Sequence, residues 1–158
     1  MEKVEPQKEH QWLHKLVGNW VTEADMAGMP DAQKHRGTET VRSLGGLWVL
    51  CEGAGEMPGG DKATMLMCLG YDPKKKRFVG TWMGSMMTHL WVYEGSLDAT
   101  QKVLTLNSEG PSMSGDDKLA KYRDVIEFKS DNHRVLTSHM LGDDGQWTQF
   151  MTAHYRRK

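Results

Sequence analysis

Seven histidines are the residues of this chain best suited to moving protons near neutral pH: His10, His14, His35, His89, His133, His139 and His154. None stands in an H-E-x-x-H or similar local spacing, so no metal site is expected from the sequence. His89 has the most distinctive surroundings, the run Gly80 to Gly95, which is almost entirely apolar, aromatic or glycine. Folded as a hairpin about Ser85–Thr88, this run sets Trp82 opposite Trp91 and Gly80 opposite Tyr93, with His89 on the face of both aromatics. That face reads as a cavity wall, thinned at Gly80 and Gly84 where a ligand or another backbone could approach. An imidazole there can bind a ligand or act as general base; the plainer reading is a half-exposed histidine capping a rim.

A second constellation involves His139. A hairpin centred on Asp131-Asn132 pairs it with Asp124, and one centred on Asp143-Asp144 pairs it with Thr148, an arrangement that would fix one imidazole tautomer. Glu39, Glu52, Arg123 and Glu127 are further polar groups that alternation can place inward, where a carboxylate with an arginine would orient the polar end of an apolar ligand. Cys51 and Cys68 face each other if their hairpin is symmetric about Gly59-Gly60, although two reduced core thiols are the reading for a reducing compartment. Twelve methionines, among them Met65, Met67, Met83, Met86 and Met87, read as adaptable packing around a pocket rather than a copper site.

The elements that position these residues follow from periodicity. Trp12, Leu13, Leu16 and Val17 share one face of a short helix starting near Lys8 and stopping at Gly18. From there the apolar period is two, with turn signals every eight to twelve residues. Ten strands are predicted: 19–26, 35–44, 47–56, 63–71, 77–84, 88–97, 102–109, 119–129, 134–141 and 147–157. Polar turns such as Asp72-Pro73-Lys74-Lys75 and Gly142-Asp143-Asp144-Gly145 are too short for crossovers, so the sheet is a meander. Pairing the first strand with the last removes both edges, and the fold class is all-β, an antiparallel up-and-down β-barrel of about ten strands. The loosest segment, Gly110 to Asp117, is expected as a mobile flap at the barrel mouth.

At 158 residues the chain fits a flexible tail over 1–9 and a single domain over 10–158. Twenty basic and 21 acidic residues leave a net charge of −1, which argues against a nucleic-acid or anionic-membrane partner. The basic run Lys74 to Arg77 is a solvated turn. Met1 to Glu9 contain no apolar leader or span, so a cytoplasmic location is expected. Strands apolar on both faces can meet a second copy, so a homodimer is also expected.

Gly18-Asn19-Trp20 after a short helix, with Arg156 and Arg157 at the end of the last strand, resembles the lipocalin-like (calycin) barrels. In these the tryptophan packs at the closed end beneath a terminal-strand arginine, a closure role implied here for Trp20 and Arg156. Leu16 to Trp20, Arg42 to Val49, Leu69 to Pro73, the Gly80–Gly95 run, Tyr122-Arg123-Asp124 and Phe150-Met151 further resemble a bacterial family known only as domain of unknown function 1579. That likeness spans nearly the whole chain and implies a fold without an activity.

The favoured reading is a binding protein without a cofactor. An apolar or amphipathic small molecule lies inside the barrel against Trp82, Trp91 and Tyr93, with Glu39, His89, Arg123 and His139 as polar contacts. An enzyme of hydrolase, isomerase or cyclase type is the alternative, using His89 or His139 as base beside Glu39, Asp124 or Glu127. A haem barrel resembling nitrobindin is the third reading, with His154 as the candidate iron ligand.

Overall fold

Inward and outward residues alternate along strand after strand, and this period of two shapes the whole computed structural model, which describes residues 1–28, 34–57 and 60–158. Ten strands form: β1 (Gly18–Met26), β2 (His35–Leu44), β3 (Trp48–Glu56), β4 (Lys62–Asp72), β5 (Arg77–Gly84), β6 (Trp91–Leu97), β7 (Val103–Pro111), β8 (Leu119–Ser130), β9 (His133–Leu141) and β10 (Trp147–Arg157). Each pairs antiparallel with its neighbours in sequence, and β1 also pairs with β10, so the sheet closes into a barrel. The expected up-and-down barrel with a short N-terminal helix is therefore the observed fold. Thr88–Leu90 lie outside β6, and β7 extends to Pro111, taking the first two residues of the expected flap.

One end of the barrel is plugged by α1 (Lys8–Leu13), which continues as a 3₁₀ turn over His14–Leu16. Lys8 and Glu9, counted with the tail from the sequence, belong to this helix. The Gln7 amide donates to His10 Nδ1 at 2.9 Å, which leaves Nε2–H to donate to the Tyr71 carbonyl at 3.1 Å. His10 is thus a buried structural residue that ties the helix start to β4. Trp12, Leu13 and Leu16 are buried against the barrel floor, where the Trp12 ring meets Phe128 edge-on at 5.5 Å.

The strand closure is organised around Trp20, which is 0% exposed and donates from Nε1 to the Leu16 carbonyl at 2.8 Å. The guanidinium of Arg157 lies 4.2 Å from its ring centre and donates to the carbonyls of Val17 (2.7 Å), Lys15 (3.0 Å) and Asp131 (3.1 Å). The arginine that fills the closure position is therefore Arg157, one residue beyond Arg156, whose side chain is exposed. Trp20 pairs with Arg157 across the β1–β10 ladder, which puts both on the inner face and Arg156 on the outer.

Register agrees with expectation at the β5–β6 hairpin, where Trp82 pairs with Trp91 and Gly80 with Tyr93. A Cβ at Gly80 would collide with the Cys68 carbonyl oxygen, so this glycine serves close approach of a neighbouring backbone rather than of a ligand. Three other pairings are displaced by one residue. An irregularity between Phe128 and Ser130 sets Asp124 opposite Ser138 and Arg123 opposite His139, and Gln149 rather than Thr148 faces His139. On β3–β4, Cys51 pairs with Met67 and Cys68 with Leu50, so the two cysteines occupy opposite faces and both are free. The hairpin centre expected at Gly59-Gly60 includes Gly59, which lies outside the described residues.

Arg157→Ala removes every side-chain bond to those carbonyls and is expected to cost about 2–3 kcal/mol. Arg156→Ala, at an exposed site, is expected to stay within about 0.5 kcal/mol. Urea unfolding of the two variants checks the assignment, and equal losses would refute it.

Candidate ligand-binding site

The barrel interior has two unlike halves. Toward the helix, Val49, Leu69, Phe78, Leu104, Leu106 and Ile126 are fully packed around Trp20. Toward the opposite end, where the β5–β6, β7–β8 and β9–β10 loops lie, the inward-facing Met65, Trp82, Trp91, Asp124 and Met151 are only half-buried. These side chains therefore keep some contact with solvent, whereas those of the packed layer keep almost none.

Two polar groups sit inside. Glu39 on β2 and Arg134 on β9 form a buried ion pair through Arg134 Nη2 and Glu39 Oε1, with side-chain exposures of 4% for Arg134 and 13% for Glu39. Arg134 also lies 3.9 Å from the Tyr155 ring centre and 4.7 Å from that of Trp20, while its Nε has no hydrogen-bond partner among the described residues. This cation is committed to Glu39 and two aromatic faces, and it ties the polar interior to the closure.

Asp124 is the second group. Its Oδ1 accepts from Ser138 Oγ at 2.6 Å, and its Oδ2 accepts from the Tyr93 hydroxyl. Burial pushes the Asp124 carboxyl above the usual carboxylate range, an effect the two hydroxyl donors partly offset. Burial first, then the Asp124 charge, hold the Tyr93 phenol well above its ordinary value, so it remains a donor.

Rings cover the open end. Trp91 meets His89 edge-on at 4.8 Å and Tyr122 at 4.9 Å, and Tyr122 meets Phe150 at 6.1 Å, a chain running from β6 across β8 to β10. A Cβ at Gly110 would strike the Trp91 ring, so this glycine lets the indole lie against β7. His89 precedes β6, is half-buried and donates from Nε2 to the Glu109 carbonyl at 3.1 Å, which places it at the rim.

Of the residues expected to contact a ligand, Glu39, Trp82, Trp91 and Tyr93 face inward and His89 caps the rim. Arg123 and His139 do not join them. On β8 the inward set is Tyr122, Asp124, Ile126 and Phe128, so Arg123 and Glu127 face outward. Arg123 lies 4.0 Å over the Trp147 ring and bonds Asn107, Glu127 pairs with Lys129, and Glu52 on β3 pairs with Arg42. His139 bonds Thr137 on the outer wall and cannot act as a base in the interior. His154 also points out, where His133 Nε2 and His154 Nδ1 lie 3.0 Å apart. A haem inside the barrel would find no ligand in His154, so the residues do not fit that group. Among the described residues, no cluster of three or more His, Cys, Asp or Glu could hold a metal ion.

Arg134 and Ser138 were not legible as interior residues. Both parities of β9 hold apolar side chains, Leu136 and Met140 on one face and Val135 and Leu141 on the other, so alternation does not choose. Asp124 does carry a signal, as the one acid in the otherwise apolar series Ala120, Tyr122, Ile126 and Phe128. Outside the barrel, a cleft of about 280 Å³ lies beside α1 between Lys8, Trp12, Tyr71 and Asp98, but no polar group of the interior reaches it.

Fold and site together define a small closed antiparallel barrel with a polar group inside a solvent-reachable half. The chain belongs to the family described as protein of unknown function (DUF1579), which matches residues 5–157. No curated protein matches the sequence. Among solved structures, the chain is similar to Rv2717c from M. tuberculosis, with a TM-score of 0.58, 12% identity, and 98% of this chain and 99% of that chain covered. It is also similar to a de novo designed fluorescence-activating β-barrel (TM-score 0.52, 11% identity, 92% and 95% covered) and to EF1p2_mFAP2b bound to DFHBI (0.51, 14%, 95% and 99%). At these identities the likeness is one of fold.

Two measurements follow from the polar interior. Glu39→Gln leaves the Arg134 charge unpaired and is expected to cost about 3–5 kcal/mol, whereas Glu39→Leu combined with Arg134→Met loses distinctly less. For Asp124 the folded state holds its proton more tightly than the unfolded chain. The wild type should therefore lose stability relative to Asp124→Asn as pH rises from about 4 through the folded-state value. Urea midpoints of both proteins across this range test the sign, and a constant difference would contradict it.

Proposed function

We propose that this protein binds an amphipathic small molecule in the loop-end half of the barrel. The apolar part lies against Trp82, Trp91 and Met65, and the polar end reaches the Asp124, Tyr93 and Ser138 group. The observation that carries this reading is a hydrogen-bonded carboxylate facing a half-buried interior lined with aromatic rings. Stability alone does not call for it, since an apolar residue at position 124 would complete the packed inner face of β8. His89 stands where it can touch a ligand as it enters.

The neutral dye Nile red tests the site by the blue shift and gain of its emission. Wild-type protein is expected to bind it at micromolar concentration, and Trp82→Ala to weaken binding by about tenfold or more. Native mass spectrometry of the protein as purified from cells is expected to show a retained small molecule. No dye binding together with an unshifted mass would remove the proposal. The location in the cytoplasm and the homodimer are read from the sequence alone. Sedimentation velocity decides the dimer, for which the exposed Met83, Leu90 and Val92 beside the β5–β6 hairpin offer the apolar surface.

A further inference from the structure

Asp124 has no ion-pair partner among the described residues. Among the described residues, the carboxylates and basic side chains facing inward are Glu39, Asp124, Arg134, Arg157 and His35; Arg134 is paired with Glu39, Arg157 is spent on three carbonyls at the floor, and His35 lies across the ladder from Ala24 on β1 with its buried Nε2 unpartnered. The undescribed residues, 29–33 and 58–59, include neither lysine nor arginine. Besides its hydroxyl donors Ser138 and Tyr93, the neighbour that favours an ionised Asp124 is His139, which belongs to the outer wall. Asp124 is thus a carboxylate inside an apolar barrel with no cation of the protein's own beside it.

Its hydrogen bonds make it an acceptor on both sides. Ser138 donates to one oxygen and Tyr93 to the other, so each oxygen keeps a further lone pair for a group entering from the loop end. Tyr93, a bonded partner, and Tyr122, two residues along the same face of β8, place aromatic rings beside the carboxylate, and Trp91 packs edge-on against Tyr122. Aromatic faces favour a cation and disfavour an anion. A carboxylate headgroup, by contrast, would meet Asp124 as a like charge and could not use Arg134.

Resting on the proposed binding site, we infer that the ligand is cationic: an amine whose ammonium group bonds Asp124 while its apolar body fills the aromatic half of the barrel. The ligand then supplies the counter-charge that the protein omits. Fatty acids and other anionic amphiphiles are disfavoured, although the barrel shape alone would admit them.

Octylamine, octanol and octanoate differ in headgroup and share one chain, so their affinities near pH 7, measured by displacement of Nile red, isolate the charge. In wild-type protein octylamine is expected to bind at least about tenfold more tightly than octanol, with octanoate weakest. In Asp124→Asn the advantage of octylamine over octanol should fall to about twofold or less. Tyr93→Phe, which keeps the carboxylate, should retain the amine preference. Equal binding of octylamine and octanol in the wild type, or octanoate binding best, would overturn the inference and leave the binding barrel standing. So would an amine preference that survives in Asp124→Asn. If none of the three displaces the dye and the dye itself does not bind, the binding barrel falls as well. Circular dichroism establishes that the variants are folded, and the wild-type ranking alone decides the matter if Asp124→Asn is not.

Discussion

A sheet of ten strands is free of edges only if its first and last strands meet, and everything inside this barrel depends on how they do so. The meeting point is the buried indole of Trp20, with Arg157 and Arg134 both over its ring. Arg157 also takes up carbonyls at the end of the 3₁₀ turn, groups that a helix end leaves without partners of its own. One side chain thereby joins the helix plug, the first strand and the last strand. Arg134 extends the same cluster upward to Glu39 and Tyr155, so the floor of the barrel and its ion pair form one cooperative unit.

Above that unit the protein gives up the packing that would make it most stable. The floor is filled with aliphatic and aromatic side chains, while the next layer holds a carboxylate between two hydroxyls. Desolvation of Asp124 works against the fold, and a native carboxylate kept in such a place is usually there for what it does rather than for what it stabilises. The two hydroxyl donors fix its orientation at modest cost, because neutral donors bring no charge that would satisfy it. For the binding role proposed above, the rigid floor, oriented acceptor and aromatic walls leave little to be rearranged on ligand entry.

The fold was legible because the strands alternate, the turns are short and polar, and ten sequential antiparallel strands have an obvious way to hide their edges. The Trp82 to Trp91 pairing was legible because a tight hairpin fixes its own register. What was not legible traces to single-residue irregularities. The bulge after Phe128 moves Ser138 into the place expected for His139, and a one-residue slip exchanges the two faces of a strand. On β3–β4 the ladder is regular throughout, and a register one residue from the expected one separates Cys51 from Cys68. Arg156 and Arg157 are adjacent and alike, so only the pairing of Trp20 with Arg157 shows which of them points in. The interior arginine went unrecognised for a different reason, since both faces of β9 are equally apolar.

The topology also orders assembly in time. Nine of the ten strand pairings join consecutive strands and need only short loops to form. The tenth joins the two ends of the chain, and the hydrogen bond from Arg157 to Val17 spans 140 residues. Closing so long a loop in an unfolded chain carries a large entropic cost, but the hairpins shorten the effective loop as they form. The contact that defines the finished barrel is thus the one whose formation must wait for the rest, and before it forms β1 and β10 each present an open edge to other chains.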